Sequence, residues 1–179
     1  MEKLELRMFG LVPYNISPIQ QAIQYGHSVV EYGLKNFHSN DYLDWAKYYK
    51  TFIILNGGTT NNNPEKLGTL NQHLQTLKEN KILLETFHEP DLGDQLTSIV
   101  FLVDERVFNR KKYLDFSDWL MDNYSDLLID NFKSPNKLAK DILNSKNQKD
   151  INIYNEWVDY IGGEKNVFLR SFLKDFKLA

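Results

Sequence analysis

Residues Ser17 to Leu34, SPIQQAIQYGHSVVEYGL, constrain the fold more than any other stretch, because they mark both the start of a long helix and the faces it offers. Ser17 followed by Pro18 supplies an N-cap and a first-turn proline, and Gln20 stands three residues after the cap, where the reciprocal partner of a capping box belongs. At about 100° per residue, Ile19, Ala22, Ile23, Gly26, Val30 and Leu34 fall on one apolar stripe, so the helix is expected to lay that stripe on a core. Gln20, Gln24, His27 and Glu31 form a polar stripe beside it. His27 lies near the border of the two, where an imidazole is expected to be partly buried and still face a cleft.

The segments around this helix alternate. Leu6 to Val12 is a mostly apolar run of strand length, and Val12-Pro13-Tyr14-Asn15 turns from it into the helix. Asp41 to Tyr49 fits a shorter helix capped by Asn40 or Asp41. Thr51 to Leu55, TFIIL, is β-branched and apolar throughout, the pattern of a central strand covered on both faces. Asn56-Gly57-Gly58 ends it, and the polar TTNNNPEKLG reads as an exposed loop. The double glycine is not a phosphate loop, since no Gly-Lys-Ser/Thr follows. Leu67 to Glu79 carries Leu70, Leu74 and Leu77 at helical spacing, with Asn80 as a stop. Ile82 to Phe87 and Leu96 to Val103 read as two strands joined by HEPDLGDQ, close enough to pair as a hairpin. This order predicts a small α/β domain over residues 1–108.

Beyond Glu105 the pattern turns helical, and residues 109–179 read as an α-helical extension. Arg110, Lys111 and Lys112 form a compact basic knot. Asp115 or Ser117 caps a helix through Leu128, Ser134-Pro135 starts another reaching Leu143, and the tail from Ile153 is aromatic. Trp157, Tyr160, Phe168, Phe172 and Phe176 are too much apolar surface for a disordered end. The tail is expected to pack, or to supply a surface for a protein partner or for self-association.

Composition removes whole classes of chemistry. The 179 residues contain no cysteine, which excludes thiolate catalysis, disulfides and sulfur-ligated zinc. The formal charge of −3 argues against a broadly basic nucleic-acid coat. No run reaches the roughly 18 apolar residues of a membrane span, and the charged start lacks the core of a signal peptide, so a cytoplasmic protein without membrane association is expected. His38, His73 and His88 form no metal set by local spacing, and no cofactor is expected.

Two motifs carry a resemblance. Gln20-x-x-x-Gln24-x-x-His27 on the first helix, and Glu89-Pro90-Asp91-Leu92-Gly93 ahead of the strand Leu96-Thr97-Ser98-Ile99-Val100, together resemble a type II peptidyl-tRNA hydrolase domain over about residues 6–104. That resemblance implies a four-stranded mixed sheet with flanking helices, and cleavage of the ester joining a peptide to the terminal ribose of tRNA. Gln24 and His27 match the family's glutamine and histidine, Asp91 its aspartate, and Thr97 a nearby threonine. The chain departs from the family at Gln20, where a lysine is usual, and at Pro13-Tyr14-Asn15-Ile16, where basic residues are usual. It leaves residues 109–179 unmatched.

Ester hydrolysis requires a positioned water, a base and donors for the oxyanion. On the matched positions His27 is expected as base, with Asp91 orienting or polarising it and Gln24 donating to the carbonyl or oxyanion; Gln20 and Thr97, and from their charge alone Arg110, Lys111 and Lys112, are candidates for holding a peptidyl-tRNA. Each also has a structural reading: Gln20 as a cap, Asp91 as a turn former with Gly93, His27 as a packing residue and the basic knot as a solvated face. Ser28 and Ser98 are nucleophiles only by residue type. The alternative to the hydrolase is an inactive member of the same fold, serving as a binding or assembly module through its helical extension.

Overall fold

The computed structural model describes residues 3–127 and 134–179. Its chain forms two compact units, Met1–Glu105 together with Phe172–Ala179, and Arg106–Ser171. The last eight residues therefore belong to the first unit.

The first unit runs β1 (Leu6–Val12), α1 (Pro18–Asn36), α2 (Asn40–Asp44) continuing into a wide turn over Trp45–Tyr49, β2 (Thr51–Asn56), α3 (Thr69–Glu79), β3 (Leu84–Glu89) and β4 (Gln95–Asp104). The strands make the expected four-stranded mixed sheet, in the order β2-β1-β4-β3. β1 is parallel to β2 and antiparallel to β4, and β3 and β4 form the expected antiparallel pair. The β2-α3-β3 crossover joins the two edges of the sheet.

One strand is not where its composition put it. β2 was expected at the centre, yet it is an edge strand, and Phe52 is 53% exposed. The centre is β1 and β4, where Met8, Leu11, Leu96, Ile99, Val100 and Phe101 are fully buried. An unbroken apolar run says nothing about covered edges, and in β2 it does not mark two covered faces either, since Leu55 alone of the strand is buried. The β2 edge is partly closed by the chain's own C-terminal residues. Asn56 donates its backbone N–H to the Lys177 carbonyl at 2.9 Å, Ala179 donates to Ile54 at 3.0 Å, and Leu55 and Leu178 form an antiparallel bridge. Covering an edge this way removes a template for unwanted strand pairing.

Helix α1 begins as its sequence specifies. Ser17 is the N-cap, its side chain accepts from the Gln20 N–H, and the Gln20 side-chain oxygen accepts from the Ser17 N–H at 3.0 Å. Its orientation, however, is the reverse of the expected one. The apolar stripe faces solvent: Ile19 is 74% exposed, Ile23 49%, Val30 61% and Leu34 65%. The buried face consists of Gln21, Gln24, Tyr25, Ser28, Tyr32 and Gly33. The reason lies in Tyr25 and Tyr32, two large rings seven residues apart that bury more area than the aliphatic stripe offers at any one contact. Both join the core formed with Met8, Val12, Trp45 and Val100. Their polar company is satisfied, since the Tyr25 hydroxyl donates to the Met8 carbonyl at 2.8 Å and the Gln21 amide donates to the Pro13 carbonyl at 3.1 Å. Gly10 on β1 makes room for this docking, because a Cβ there would lie 2.3 Å from the Tyr25 ring.

The second unit follows the short turn α4 (Glu105–Phe108) with α5 (Phe116–Asn123) and the helices Pro135–Leu143, Gln148–Tyr160 and Glu164–Phe172. Its core gathers Phe116, Trp119, Leu120, Leu138, Ile142, Ile153, Trp157, Val158 and Ile161. Asp115 and Ser134 are the N-caps of α5 and of the helix starting at Pro135. Leu128, the expected end of α5, lies outside the described residues; α5 stops at Asn123 with Tyr124 as its C-cap. The aromatic tail divides. Trp157 and Ile161 are core of the second unit, while Phe172 and Phe176 pack edge-on to His73 of α3 in the first. Among the described residues no helix is long and apolar enough to cross a membrane.

Candidate functional site

The polar flank of α1 meets the far end of the β3–β4 hairpin. The register between these strands slips after Phe87, which pairs with Ser98, whereas His88 pairs with Leu96. Thr97 is the residue left over. Such a bulge re-aims side chains, and it is a common device at functional sites. Here Thr97, fully buried, donates its hydroxyl to the Gln24 side-chain oxygen at 2.7 Å, with the Phe87 carbonyl also within 3.3 Å. The Gln24 amide nitrogen in turn donates to a Glu89 carboxylate oxygen at 2.5 Å. The carboxamide is thereby fixed in orientation, with its oxygen toward β4 and its nitrogen toward the end of β3. One turn along α1, the His27 ring stacks on Phe87, with centroids 4.5 Å apart and planes 24° apart. The imidazole is exposed rather than partly buried, because the helix is rotated as described above.

The structure thus brings Gln24, Thr97 and His27 to one place. The carboxylate that joins them is Glu89, a residue of the Glu89–Gly93 motif to which the sequence attaches no role of its own. Its signal was position: it closes β3, immediately before a turn that Pro90 opens. Asp91 occupies that turn, an exposed single turn of 3-10 helix over Pro90–Leu92. Gly93 ends it at a φ of 64°, donating its N–H to the Pro90 carbonyl at 3.1 Å. Among the described residues no hydrogen bond or ion pair links Asp91 to His27. Gln20 is held in the capping box.

The basic knot belongs to the second unit, where Arg110 is engaged structurally. Its guanidinium donates to Asp115 at 2.9 Å and to the Arg170 carbonyl at 2.8 Å. Lys111 and Lys112 are exposed. Arg170, 4% exposed, spends its donors on Asp115, on the Arg106 carbonyl and on the Tyr113 carbonyl. Burial pushes the Asp115 carboxyl up, but the hydrogen bonds and charges of Arg170 and Arg110 outweigh it and hold the group below the usual carboxylate range.

Two further features lie apart from the Gln24 cluster. Ser28 and Ser98 are fully buried, and neither hydroxyl finds a hydrogen-bond partner among the described residues, so neither is presented as a nucleophile. His73 lines a concavity beyond the end of β2, with Asn56, Thr69 and the tail residues Phe176 and Lys177; burial lowers its imidazole from the ordinary value. Among the described residues, no three His, Asp or Glu side chains are grouped so as to hold a metal ion.

Chemically, the cluster offers an accessible imidazole, a carboxylate and a carboxamide with one N–H committed to that carboxylate and a second to spare. These are the groups a general-base hydrolysis uses. In comparisons with known proteins, no family model and no curated protein matches the chain.

Proposed function

We propose that the cluster of Gln24, His27, Glu89 and Thr97 hydrolyses an ester of the kind that joins a peptide to the terminal ribose of tRNA. The observation that carries this reading is the 2.7 Å bond between Thr97 and Gln24. The resemblance marks these two residues seventy-three positions apart, and they meet beside the exposed His27 ring. In this reading His27 takes a proton from water as the water oxygen attacks the ester carbonyl. The spare Gln24 N–H donates to the developing oxyanion, Glu89 holds the carboxamide, and the proton passes from His27 to the ribose oxygen as its bond to the acyl carbon breaks. Asp91 acts from its exposed turn on the bound substrate.

Release of peptide from an acetyl-aminoacyl-tRNA tests this reading. His27→Ala, in a protein whose circular dichroism is unchanged, is expected to lower kcat/KM by about 10²-fold or more, the scale of a lost general base. A folded native chain without turnover, or an undiminished His27→Ala protein, overturns it. The second reading, a non-catalytic assembly module, is favoured by the solvent-facing apolar stripe of α1; stoichiometric binding without turnover selects it.

A further inference from the structure

We infer that the exposed face of α1 is the self-association surface of this chain, on which a second copy lays its own α1 in antiparallel orientation. The face is the stripe of Ile19, Ile23, Gly26, Val30, Leu34 and, just past the helix, Phe37. From Ile19 to Leu34 it extends about 22 Å along the axis at ~1.5 Å per residue. Its five apolar side chains leave on the order of 600 Å² in water, the upper end of the ~300–600 Å² that the largest patch of a monomer reaches. That is also close to the ~800 Å² each partner of a standard stable interface buries.

Three observations select a second copy over another occupant. The first is symmetry. Reversing the helix about the junction of Gly26 and His27 places Ile19 opposite Leu34 and Ile23 opposite Val30, so the stripe complements itself in the way a two-fold interface demands. The second is charge. Between Ile19 and Leu34 the only acidic or basic side chain besides His27 is Glu31, which is half-buried and about 100° around the helix from the stripe, while Lys35 pairs with Glu85 at 2.5 Å. Along α1 no charged side chain lies on the stripe itself, and Lys35 is the one cation beside it, so the helix lacks the rim of lysine and arginine that interfacial membrane helices carry.

The third is Gly26. A glycine in mid-helix costs about 1 kcal/mol relative to alanine, so it needs a reason. Gly33 of the same helix has one within the chain, since a Cβ there would lie 2.4 Å from the Tyr42 hydroxyl. Gly26 has none: a Cβ there would meet nothing within 4 Å. It sits at the centre of the stripe, where two antiparallel helices cross and where absence of a side chain lets their backbones approach to the near end of the ~8–10 Å interaxial range. A two-fold axis across such a pair also keeps both His27 flanks on the same face of the dimer.

The inference does not rest on the hydrolase reading, and its test needs no substrate. Because the chain has no cysteine, single cysteines report the geometry directly. Gly26→Cys is expected to form a covalent dimer on mild oxidation. Ile19→Cys alone is expected not to, but to cross-link when mixed with Leu34→Cys. In sedimentation the native chain is expected at twice its mass of 21.1 kDa, and Val30→Glu, unchanged in circular dichroism, at that mass. A monomeric native chain, which would leave the stripe to a different partner, overturns the inference. So does a dimer indifferent to Val30→Glu, or an Ile19→Cys protein that cross-links to itself in preference to Gly26→Cys.

Discussion

The Thr97 hydroxyl and the Gln24 side-chain oxygen are 2.7 Å apart in a place where both residues are buried. Neither group can turn to water if the other is removed. Thr97→Val is therefore expected to cost about 1–3 kcal/mol, the penalty of leaving a buried acceptor unpaired. Adding Gln24→Leu to Thr97→Val is expected to cost less than the sum of the two single changes. Urea denaturation of the four proteins in the cycle measures this.

Arg170 and Asp115 make the corresponding pair in the second unit, joined at 2.6 Å with the guanidinium almost wholly enclosed. Arg170→Ala strands the part-buried Arg106 and Tyr113 carbonyls and leaves Asp115 to Arg110 alone, and is expected to destabilise that unit by ~1–3 kcal/mol. The Asp115 carboxyl is held below its ordinary value, so its contribution is present above the unfolded carboxyl pKa of about 3.9 and is lost as pH falls through the lower folded value. Acid denaturation followed by tryptophan fluorescence, through Trp119 and Trp157, is expected to show that loss in the native protein and not in Asp115→Asn.

His73 supports the C-terminal residues through Phe172 and Phe176, at 5.6 and 4.9 Å between ring centroids. Burial depresses its pKa, so the unfolded chain takes up the proton first. The contact is at full strength above the ordinary imidazole value of about 6.5 and weakens as pH drops from there toward the folded value. With the intrinsic exchange rate at each pH divided out, the protection of the Asn56 and Ala179 amides, both bonded across the β2 edge, is expected to fall between neutral and mildly acidic pH, and to fall less in His73→Phe.

Ser28 and Ser98 invert the usual expectation for a mutation in a core. Each buries a hydroxyl that no described residue satisfies, so replacing it by alanine removes a desolvation cost along with one small atom. Both changes are expected to leave stability within about 0.5 kcal/mol of native or to raise it by up to ~1 kcal/mol, as read by thermal unfolding.

How much of this was legible depends on which physical signal each feature leaves in a sequence. Local signals were readable: Ser17, Pro18 and Gln20 state a helix start in their own chemistry, and the start of the helix at Pro135 and the β3–β4 hairpin follow from residues within a few positions of each other. The face of α1 was not readable. Periodicity weighs Ile and Val as inward and Gln and Tyr as outward, yet Tyr25 and Gln21 go inward because the Met8 and Pro13 carbonyls are there to receive them. Those carbonyls belong to another element, and no window along the helix contains them. The edge position of β2 and its cover by residues 177–179 depend on long-range pairing in the same way. Within the candidate site, the motif containing Glu89 could be read, but a bulge at Thr97 had to set the strand register before Glu89 rather than Asp91 became the carboxylate that meets α1.

The return of residues 172–179 to the first unit also governs the order in which a chain grown from its N-terminus can become complete. The sheet and its flanking helices are synthesised first, and domains generally begin to fold in that order. Here the edge of β2 and the ring of His73 stay bare until everything in residues 106–171 has emerged behind them. The second unit is thus an interlude within the making of the first, during which the β2 edge is open to any extended segment nearby.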